Sequence, residues 1–196
     1  MRANWQSGAS VEKSGREVFS RYKNIIHWLS WLTAFLPTSI RRFLWNGVDN
    51  RDGRVAVLIR YLLLKCECPS VGDNVYIGKR VTIKNGTNFH VGSNVSIHEG
   101  CYIDAAGGCR IGDNVSIAHG CSIISFNHTW ADPAVPIKYN PILLSPVLVE
   151  SDVWIGCAAR LMPGCRVAQR SVVAAGCVVI SEHGNNELIA GVPGRM

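Results

Sequence analysis

The sequence lacks an apolar run long enough to cross a membrane as a helix. Its best window, in the N-terminal third, is interrupted by His27, Ser30, Thr33 and Pro37, whereas a spanning helix needs about 20 mainly apolar residues. The first 20 residues also lack the basic start, apolar stretch and small-residue cleavage site of a secretion signal. These absences predict a cytoplasmic protein, with the inner face of the membrane as the alternative location.

Several motifs typical of catalytic, nucleotide-binding or metal-binding sites are missing as well. The sequence has no nucleophile elbow, Walker loop, dinucleotide fingerprint or paired-cysteine metal pattern. Cys66 and Cys68 form a CxC without a second pair, so zinc there is a weak hypothesis and we expect no metal. The remaining cysteines do not suggest disulfides, and a reduced protein is the simplest interpretation. Four of them recur at one small position of a repeat, where cysteine acts as a small hydrophobe: Cys101, Cys121, Cys165 and Cys177.

That repeat is an aliphatic residue at every sixth position, in triplets of which Val71, Ile77 and Ile83 are the first. A period of six fits neither a helix nor a simple amphipathic strand. It predicts short strands separated by turns, three to a coil, stacked as an all-β solenoid. Glycine and asparagine near the corners, as in Gly72 and Asn74, are expected to supply left-handed backbone there. The later members of the repeat are Val91, Ile97, Ile103, Ile111, Ile117, Ile123, Val149, Ile155, Leu161, Val167, Val173 and Val179.

The repeat is interrupted three times at one corner of the coil. Two-residue insertions fall within 84–90 and 104–110, and a long loop at 125–148 leaves from the same corner. Irregular segments on a rigid scaffold commonly carry function. The loop begins with Asn127 and His128, and a neutral imidazole there can take a proton from a hydroxyl and return it to a leaving thiolate. The alternative is an ordinary surface histidine.

The N-terminal region, 1–69, differs from the solenoid region, 70–196. Residues 1–65 hold 11 Lys or Arg against four Asp or Glu, and the rest of the chain holds nine against ten. Apolar residues at helical spacing predict helices at 17–36, 39–45 and 55–65, the first stopped by Pro37. These helices either cap the open end of the solenoid or rest on an anionic membrane surface through 17–65. Large apolar residues separate the arginines, so we expect no nucleic-acid partner.

Several motifs together resemble those of the left-handed β-helix O-acetyltransferases, which also have hexapeptide repeats and a histidine at a loop start. Within that family the sequence is most similar to the galactoside and maltose acetyltransferases and the capsule or exopolysaccharide O-acetyltransferases. The resemblance covers about 70–196. The motifs that carry it are Asn127-His128, Val153-Trp154-Ile155-Gly156, Met162-Pro163-Gly164, Val173-Ala174-Ala175-Gly176 and Ala190-Gly191-Val192-Pro193.

This resemblance implies a left-handed parallel β-helix that assembles as a homotrimer, with active sites between neighbouring chains. It implies acetyl-CoA as co-substrate and a saccharide acceptor, a polysaccharide or its precursor. His128 would be the general base. His98, Asp104 and Asn127 would lie on the acceptor side. Ile180 replaces a common threonine, and Gly194 replaces a common alanine or cysteine. The residues that would contact the cofactor are Trp154, Gly156, Cys157, Ala175, Ile180 and Arg195.

Two alternatives remain open at this point. One is acetyl transfer to a hydroxyl outside the saccharides, such as that of serine or an antibiotic. The other is a non-catalytic solenoid that binds a partner or lipid through its N-terminal region. The acceptor depends on loops and on the N-terminal region, which the resemblance does not cover.

Overall fold

The computed structural model describes residues 15–196. It begins with three helices, α1 (Gly15–Ala34), α2 (Thr38–Val48) and α3 (Arg54–Glu67), which confirms the predicted helical region to within a few residues at each end. Within the described range, no helix is both long and apolar enough to cross a bilayer.

The rest of the chain coils into three parallel sheets. Each coil contributes one short strand to each sheet, and the sixth coil is incomplete. The first sheet holds β1 (Ser70–Val71), β4 (Phe89–Val91), β7 (Cys109–Ile111), β12 (Val147–Val149), β15 (Arg166–Val167) and β18 (Glu182–His183). The second holds β2 (Tyr76–Ile77), β5 (Ser96–Ile97), β8 (Ser116–Ile117), β13 (Trp154–Ile155), β16 (Val172–Val173) and β19 (Leu188–Ile189). The third holds β3 (Thr82–Lys84), β6 (Tyr102–Asp104), β9 (Ser122–Ile124), β14 (Arg160–Leu161) and β17 (Val178–Val179).

The repeated aliphatic residues form the core, which confirms the predicted solenoid. Ile77, Ile97 and Ile117 pair in register across three coils, and all three are fully buried. Burial of each such side chain contributes roughly 1.5–3 kcal/mol relative to exposure. The strands of a single coil cannot bury these faces alone, so stacking of coils holds the solenoid together.

Several of the repeated aliphatic residues are followed by a glycine, whose role differs from the one predicted. At these corners the asparagine two residues later has the left-handed backbone, with φ of 55° at Asn74 and 58° at Asn94. Gly72 and Gly112 are not left-handed; a Cβ on Gly112 would lie 2.7 Å from the backbone nitrogen of Ser151 in the next coil. Close stacking of the coils therefore requires glycine there, and the prediction that these glycines supply left-handed corners is wrong.

The solenoid continues beyond the repeat recognised in the sequence. β18 and β19 start a sixth coil, in which His183 pairs with Val167 and Ile189 pairs with Val173. His183 thus occupies an inward position that is aliphatic in earlier coils, and its Nδ1 lies 3.3 Å from Oε2 of Glu187. The step from Val179 to His183 is four residues rather than six, which hid this coil in the sequence.

Helix α3 packs across the first coil. Leu62 and Leu64 join the solenoid core, Tyr61 donates a hydrogen bond to the Gly72 carbonyl at 3.0 Å, and Arg60 donates to the Ile77 carbonyl at 2.9 Å. Burial raises the pKa of the Tyr61 hydroxyl. These contacts join the helical region to the solenoid at the end where the first coil would otherwise be open.

Helix α1 packs on α3 and is tied to one corner of the solenoid by polar contacts. Lys23 and His27 contact the Asp73 carboxylate at 2.7 and 2.9 Å. Arg16 donates to the side-chain oxygens of Asn94 and Asn114. The orientation of α1 is therefore fixed by side chains of three successive coils.

The cysteines are free thiols, and most are buried between coils. Cys109, which falls within the second insertion range of the sequence, begins strand β7 and is buried. Burial raises the pKa of the Cys68 and Cys165 thiols to about 12. Among residues 15–196, no three side chains of the metal-binding types come together in a cluster that could hold a metal ion.

Candidate functional site

The three predicted insertions share one corner, where the chain passes from the third sheet to the first. We call it the insertion corner: it comprises 85–88, 105–108 and 125–146. The longest segment is not irregular throughout, as a loop would be. It forms an antiparallel hairpin of β10 (Phe126–His128) and β11 (Ile142–Leu144), with a 3₁₀ turn at Ile137–Tyr139. The candidate base His128 therefore sits on a strand.

The base of this hairpin is held by hydrogen bonds to the preceding coil. The Ser125 hydroxyl donates to the Asp104 carbonyl at 2.8 Å and accepts from the Gly107 N–H at 2.8 Å. The Ser145 N–H donates to the Ser125 carbonyl at 2.9 Å, which closes the hairpin. Ser125 is completely buried, so a polar side chain with paired bonds fixes where the hairpin leaves the solenoid.

The far part of the hairpin is held by its own side chains. The Asn140 side-chain amide donates to the Val135 carbonyl at 2.8 Å, and its oxygen accepts from the Asp132 N–H at 3.1 Å. The Thr129 hydroxyl donates to the Pro141 carbonyl at 2.7 Å. Asn140 is buried although most residues of the hairpin are exposed. Its hydrogen bonds therefore hold the far part of the hairpin in one conformation.

His128 is exposed at the end of β10, opposite Ile142. Its ring lies 6.3 Å from the Phe126 ring in an edge-on arrangement. Within residues 15–196 its ring nitrogens make no hydrogen bond and the residue is exposed, so the imidazole is accessible to another molecule. Asn127, the preceding residue, is also exposed and pairs with Leu143.

The other residues predicted on the acceptor side are less open. Asp104 is only 5% exposed. Its carboxylate accepts hydrogen bonds from the Asn85 side chain at 2.6 Å and from the Ala106 N–H at 3.2 Å. Asp104 thus shapes the insertion corner. His98 lies after β5 on the second sheet, with its ring centroid 5.4 Å from that of Tyr76, and is partly exposed.

The residues predicted to contact the cofactor lie mainly at another corner, where the second sheet passes to the third. Trp154 projects from the second sheet and is 56% exposed. Cys157 and Ala175 follow in adjacent coils, and the Cys157 carbonyl accepts a hydrogen bond from the Gly176 N–H at 2.8 Å. We call this the Cys157 corner. Among residues 15–196 the N–H and carbonyl of Ala175 make no hydrogen bond, and the residue is exposed.

Gly156 is explained by packing. A Cβ there would lie 2.6 Å from the Ala175 backbone nitrogen, so this glycine allows the two coils of the Cys157 corner to stack. Gly194 has a similar role near the C-terminal end: it donates to the Val178 carbonyl at 2.7 Å, and a Cβ would lie 2.8 Å from the Cys177 sulfur. The alanine or cysteine common at this position in the resembled family would not fit this backbone without a shift.

Arg195 and Ile180 lie near the last coils. Arg195 forms an isolated antiparallel bridge with Ala190, and its side chain is exposed. Ile180 is exposed directly after β17, at the start of the turn from the third sheet to the first. Within one chain the structure therefore does not bring His128 together with Trp154, Cys157 and Ala175, because they occupy different corners of the coil.

A cavity of about 490 Å³ lies at the insertion corner, beside the hairpin base. His90 and Arg110 line it from neighbouring strands of the first sheet, and Leu144 and Pro146 line it from the hairpin side. No sequence motif marks these residues as functional. A signal was present, since His90 and Arg110 precede equivalent core positions twenty residues apart.

Comparison with solved structures shows that the chain is similar in fold to several acetyltransferases. A maltose O-acetyltransferase from Clostridium difficile 630 is 26% identical with a TM-score of 0.70, covering 80% of this chain and 82% of that one. A galactoside acetyltransferase solved with coenzyme A is 26% identical with a TM-score of 0.69, covering 79% and 76%. A hexapeptide-repeat acetyltransferase from Vibrio cholerae O1 biovar eltor, solved with acetyl-CoA, is 23% identical with a TM-score of 0.69, covering 80% and 83%.

Sequence comparison gives a shorter match. A 2,3,4,5-tetrahydropyridine-2,6-dicarboxylate N-acetyltransferase from Staphylococcus aureus is 33% identical over 69 residues, 35% of this chain. The match spans 29% of the length of that curated relative. No family model matches the chain. The solved structures nonetheless confirm the predicted resemblance to the hexapeptide-repeat acetyltransferases.

Proposed function

We propose that the protein is an acetyl-CoA-dependent acetyltransferase that acetylates a saccharide hydroxyl, with His128 as general base. The observation that carries this proposal is the exposed imidazole on a hairpin anchored at the insertion corner. The solved relatives support it, because two of them act on maltose or a galactoside by name. The matches described above are acetyltransferases throughout, in agreement with the predicted acyltransferase class.

The chemistry requires few protein groups. His128 accepts the proton of the acceptor hydroxyl as its oxygen attacks the thioester carbonyl of acetyl-CoA. The new C–O bond forms, the C–S bond breaks, and the proton passes to the departing thiolate of CoA. The open nitrogens of His128 suit this shuttle, since an imidazole both takes and returns protons near neutral pH.

We assign donor binding to the Cys157 corner and the last coils. The exposed indole of Trp154 offers an apolar surface to the pantetheine arm. The free N–H and carbonyl of Ala175 offer hydrogen bonds to its amides, and Cys157 lies one coil away at the same corner. Arg195 would pair with the phosphates, for which a guanidinium is well suited. Gly156 permits the stacking on which this corner depends, and Ile180 supplies apolar surface only.

Assembly as a homotrimer would complete the site. One chain holds its base and its donor-binding residues on different corners, so reaction needs the insertion corner of one chain beside the Cys157 corner of a neighbour. The hairpin adds exposed Ile142, Leu143 and Leu144, which would become buried between chains. On the acceptor side, Asn127 and His98 are placed to contact the saccharide, and Asp104 orients the insertion corner through its internal hydrogen bonds.

An amine acceptor is the second candidate, favoured by the match to an N-acetyltransferase. The same site could serve it, because an ammonium group must also lose a proton before it attacks. Sugar alcohols and amino sugars of matched structure distinguish the two candidates. Faster acetylation of the hydroxyl series supports the proposal, whereas acetylation of amines alone favours the second candidate.

The test measures CoA thiol release from acetyl-CoA with a panel of saccharide acceptors. His128→Ala should lower the rate constant about 10²–10⁴-fold, the usual contribution of a general base, and leave CoA affinity by calorimetry unchanged. The control is His27→Ala, which removes an exposed histidine of α1 and should keep the wild-type rate. A His128→Ala enzyme with near wild-type activity would overturn the assignment. Absence of CoA binding at millimolar concentration would instead favour a non-catalytic scaffold.

A further inference from the structure

Helix α1 carries an apolar face that no other part of residues 15–196 covers. Trp28, Trp31 and Phe35 are 59%, 60% and 68% exposed. Trp28 and Trp31 are three residues apart and therefore lie on one side of α1, and Phe35 follows directly after the last residue of the helix. Ile26 lies on the other side and is buried against the rest of the protein. The helix is therefore apolar on two sides, although packing within the chain explains only one.

The uncovered face is held in place. Lys23, His27 and Arg16 tie α1 to the solenoid from the flank, as described above. The Trp31 and Phe35 rings contact each other edge-on, with centroids 4.8 Å apart. These large rings are therefore mostly exposed on a segment whose position is fixed, although Trp31 also lines a shallow groove beside Lys65 and Cys66.

Helix α2 also exposes an aromatic side chain and basic residues. Phe43 is 77% exposed, and no residue of α2 is buried. Exposed arginines accompany both helices, Arg21 on α1 and Arg42 on α2. Between residues 15 and 48 the sequence has five Lys or Arg and a single acidic residue, Glu17. Exposed aromatic rings thus stand beside the cations Arg21 and Arg42, whereas Lys23 is already paired with Asp73.

We propose that the outer face of α1, together with Phe43 and Arg42 of α2, docks on an anionic lipid surface. Tryptophan rings favour the headgroup level of a bilayer, where one edge is apolar and the other wet. Basic residues near such a surface are attracted by anionic lipid. The charge excess favours lipid over a second copy of this chain, because a second copy would bring the same positive charge. This inference does not depend on the proposed activity.

The test is sedimentation of the full chain with vesicles at low salt. Vesicles of phosphatidylcholine and phosphatidylglycerol should carry the protein down, and phosphatidylcholine alone should bind it weakly. Changing Trp28, Trp31 and Phe35 together to serine should weaken binding by about tenfold or more, since apolar burial drives insertion. Arg21→Gln with Arg42→Gln should remove most of the preference for anionic lipid and its salt sensitivity. Trp130→Ser is the control, an exposed tryptophan of the hairpin, and should bind as wild type.

Two results would overturn the proposal. In the first, the wild-type protein stays in the supernatant with anionic vesicles at low salt. In the second, the triple serine variant sediments as well as wild type. If the triple variant instead dissociates an oligomer in light scattering while vesicles bind neither protein, the face is a contact between copies and the lipid proposal is wrong. Circular dichroism checks that every variant is folded.

Discussion

The hydroxyl of Ser125 accepts a hydrogen bond of 2.8 Å from the backbone N–H of Gly107, and this contact joins the hairpin that carries His128 to the preceding coil. Ser125 also donates to the Asp104 carbonyl, so one buried hydroxyl links two insertions. The position of the candidate base thus depends on a contact that lies outside the hairpin itself.

Gly107→Ala should therefore reduce activity while leaving the solenoid folded. A Cβ at 107 would meet the Ser125 carbonyl and lie 2.7 Å from the Ser145 nitrogen, and both belong to the hairpin base. Because this backbone must shift, we expect His128 to be displaced and turnover to fall about 10²-fold, as small misplacements of reacting groups can do. Steady-state CoA release and circular dichroism are the measurements.

Gly47→Ala is the matched control, because a Cβ at that position in α2 would meet nothing within 4 Å. It should keep the wild-type rate and gain at most roughly 0.5–1 kcal/mol in stability, because Gly47 lies in the last turn of α2. Equal activity of both variants would show that the hairpin base does not set the geometry of the site.

The repeat predicted the solenoid because its core positions are local and periodic, as Ile77, Ile97 and Ile117 illustrate. Burial within a coil imposes the same residue type on each turn, and that is visible in a sequence. The sixth coil escaped detection because the step from Val179 to His183 breaks the period and because His183 is not aliphatic. Glycines such as Gly112 are visible in the sequence. They are required because the next coil stacks closely on them, and not because the corner needs left-handed backbone.

The candidate site was less predictable, because its geometry depends on contacts between distant segments. The position of His128 at a loop start indicated its importance. The hairpin and its anchor through Gly107 and Ser125 depend on pairing across coils, which has no local signature. Asp104 was expected on the acceptor side because it lies at the edge where the insertions occur, whereas in the structure its buried carboxylate accepts hydrogen bonds from Asn85 and Ala106 within the insertion corner.

Cys157 provides a direct test of the donor site. It and Cys66 are the partly exposed thiols, while the other six are buried. Burial raises the pKa of the Cys165 thiol to about 12, and thiols of that kind react slowly because little thiolate is present. A maleimide should therefore label Cys157 and Cys66 first in the native protein, as peptide mass spectrometry would show.

Added CoA should then protect Cys157 and leave Cys66 labelled as before, because only the Cys157 corner is assigned to the donor. Cys66 serves as the internal control, since its sulfur donates to the Leu62 carbonyl within the helical region. Protection of both thiols would indicate a global change. Undiminished labelling of Cys157 at saturating CoA would place the donor elsewhere.

Arg60 should be essential for joining the helical region to the solenoid. It is 1% exposed, and its guanidinium donates to the carbonyls of Ile77, Val48 and Arg51. Arg60→Met leaves these carbonyls without their charged donor, which we expect to cost about 2–3 kcal/mol. Arg54→Met, an exposed change in the same helix, should stay within about 0.5 kcal/mol. Urea unfolding measures both, and equal midpoints would contradict the proposed role of Arg60.

The attachment of α1 should depend on pH through Asp73. The hydrogen bond from Lys23, then that from His27, holds the pKa of the Asp73 carboxyl below its usual 3.8. A lowered folded-state pKa stabilises the protein above the unfolded-state value, and this contribution disappears as pH falls through the folded-state pKa. Asp73→Asn should therefore be less stable than wild type at neutral pH, by under about 1 kcal/mol because the pair is partly exposed. The two unfolding curves should converge in acid. Lys23→Gln removes the main cause and should show the same convergence, whereas a constant difference at every pH would show that Asp73 acts through packing alone.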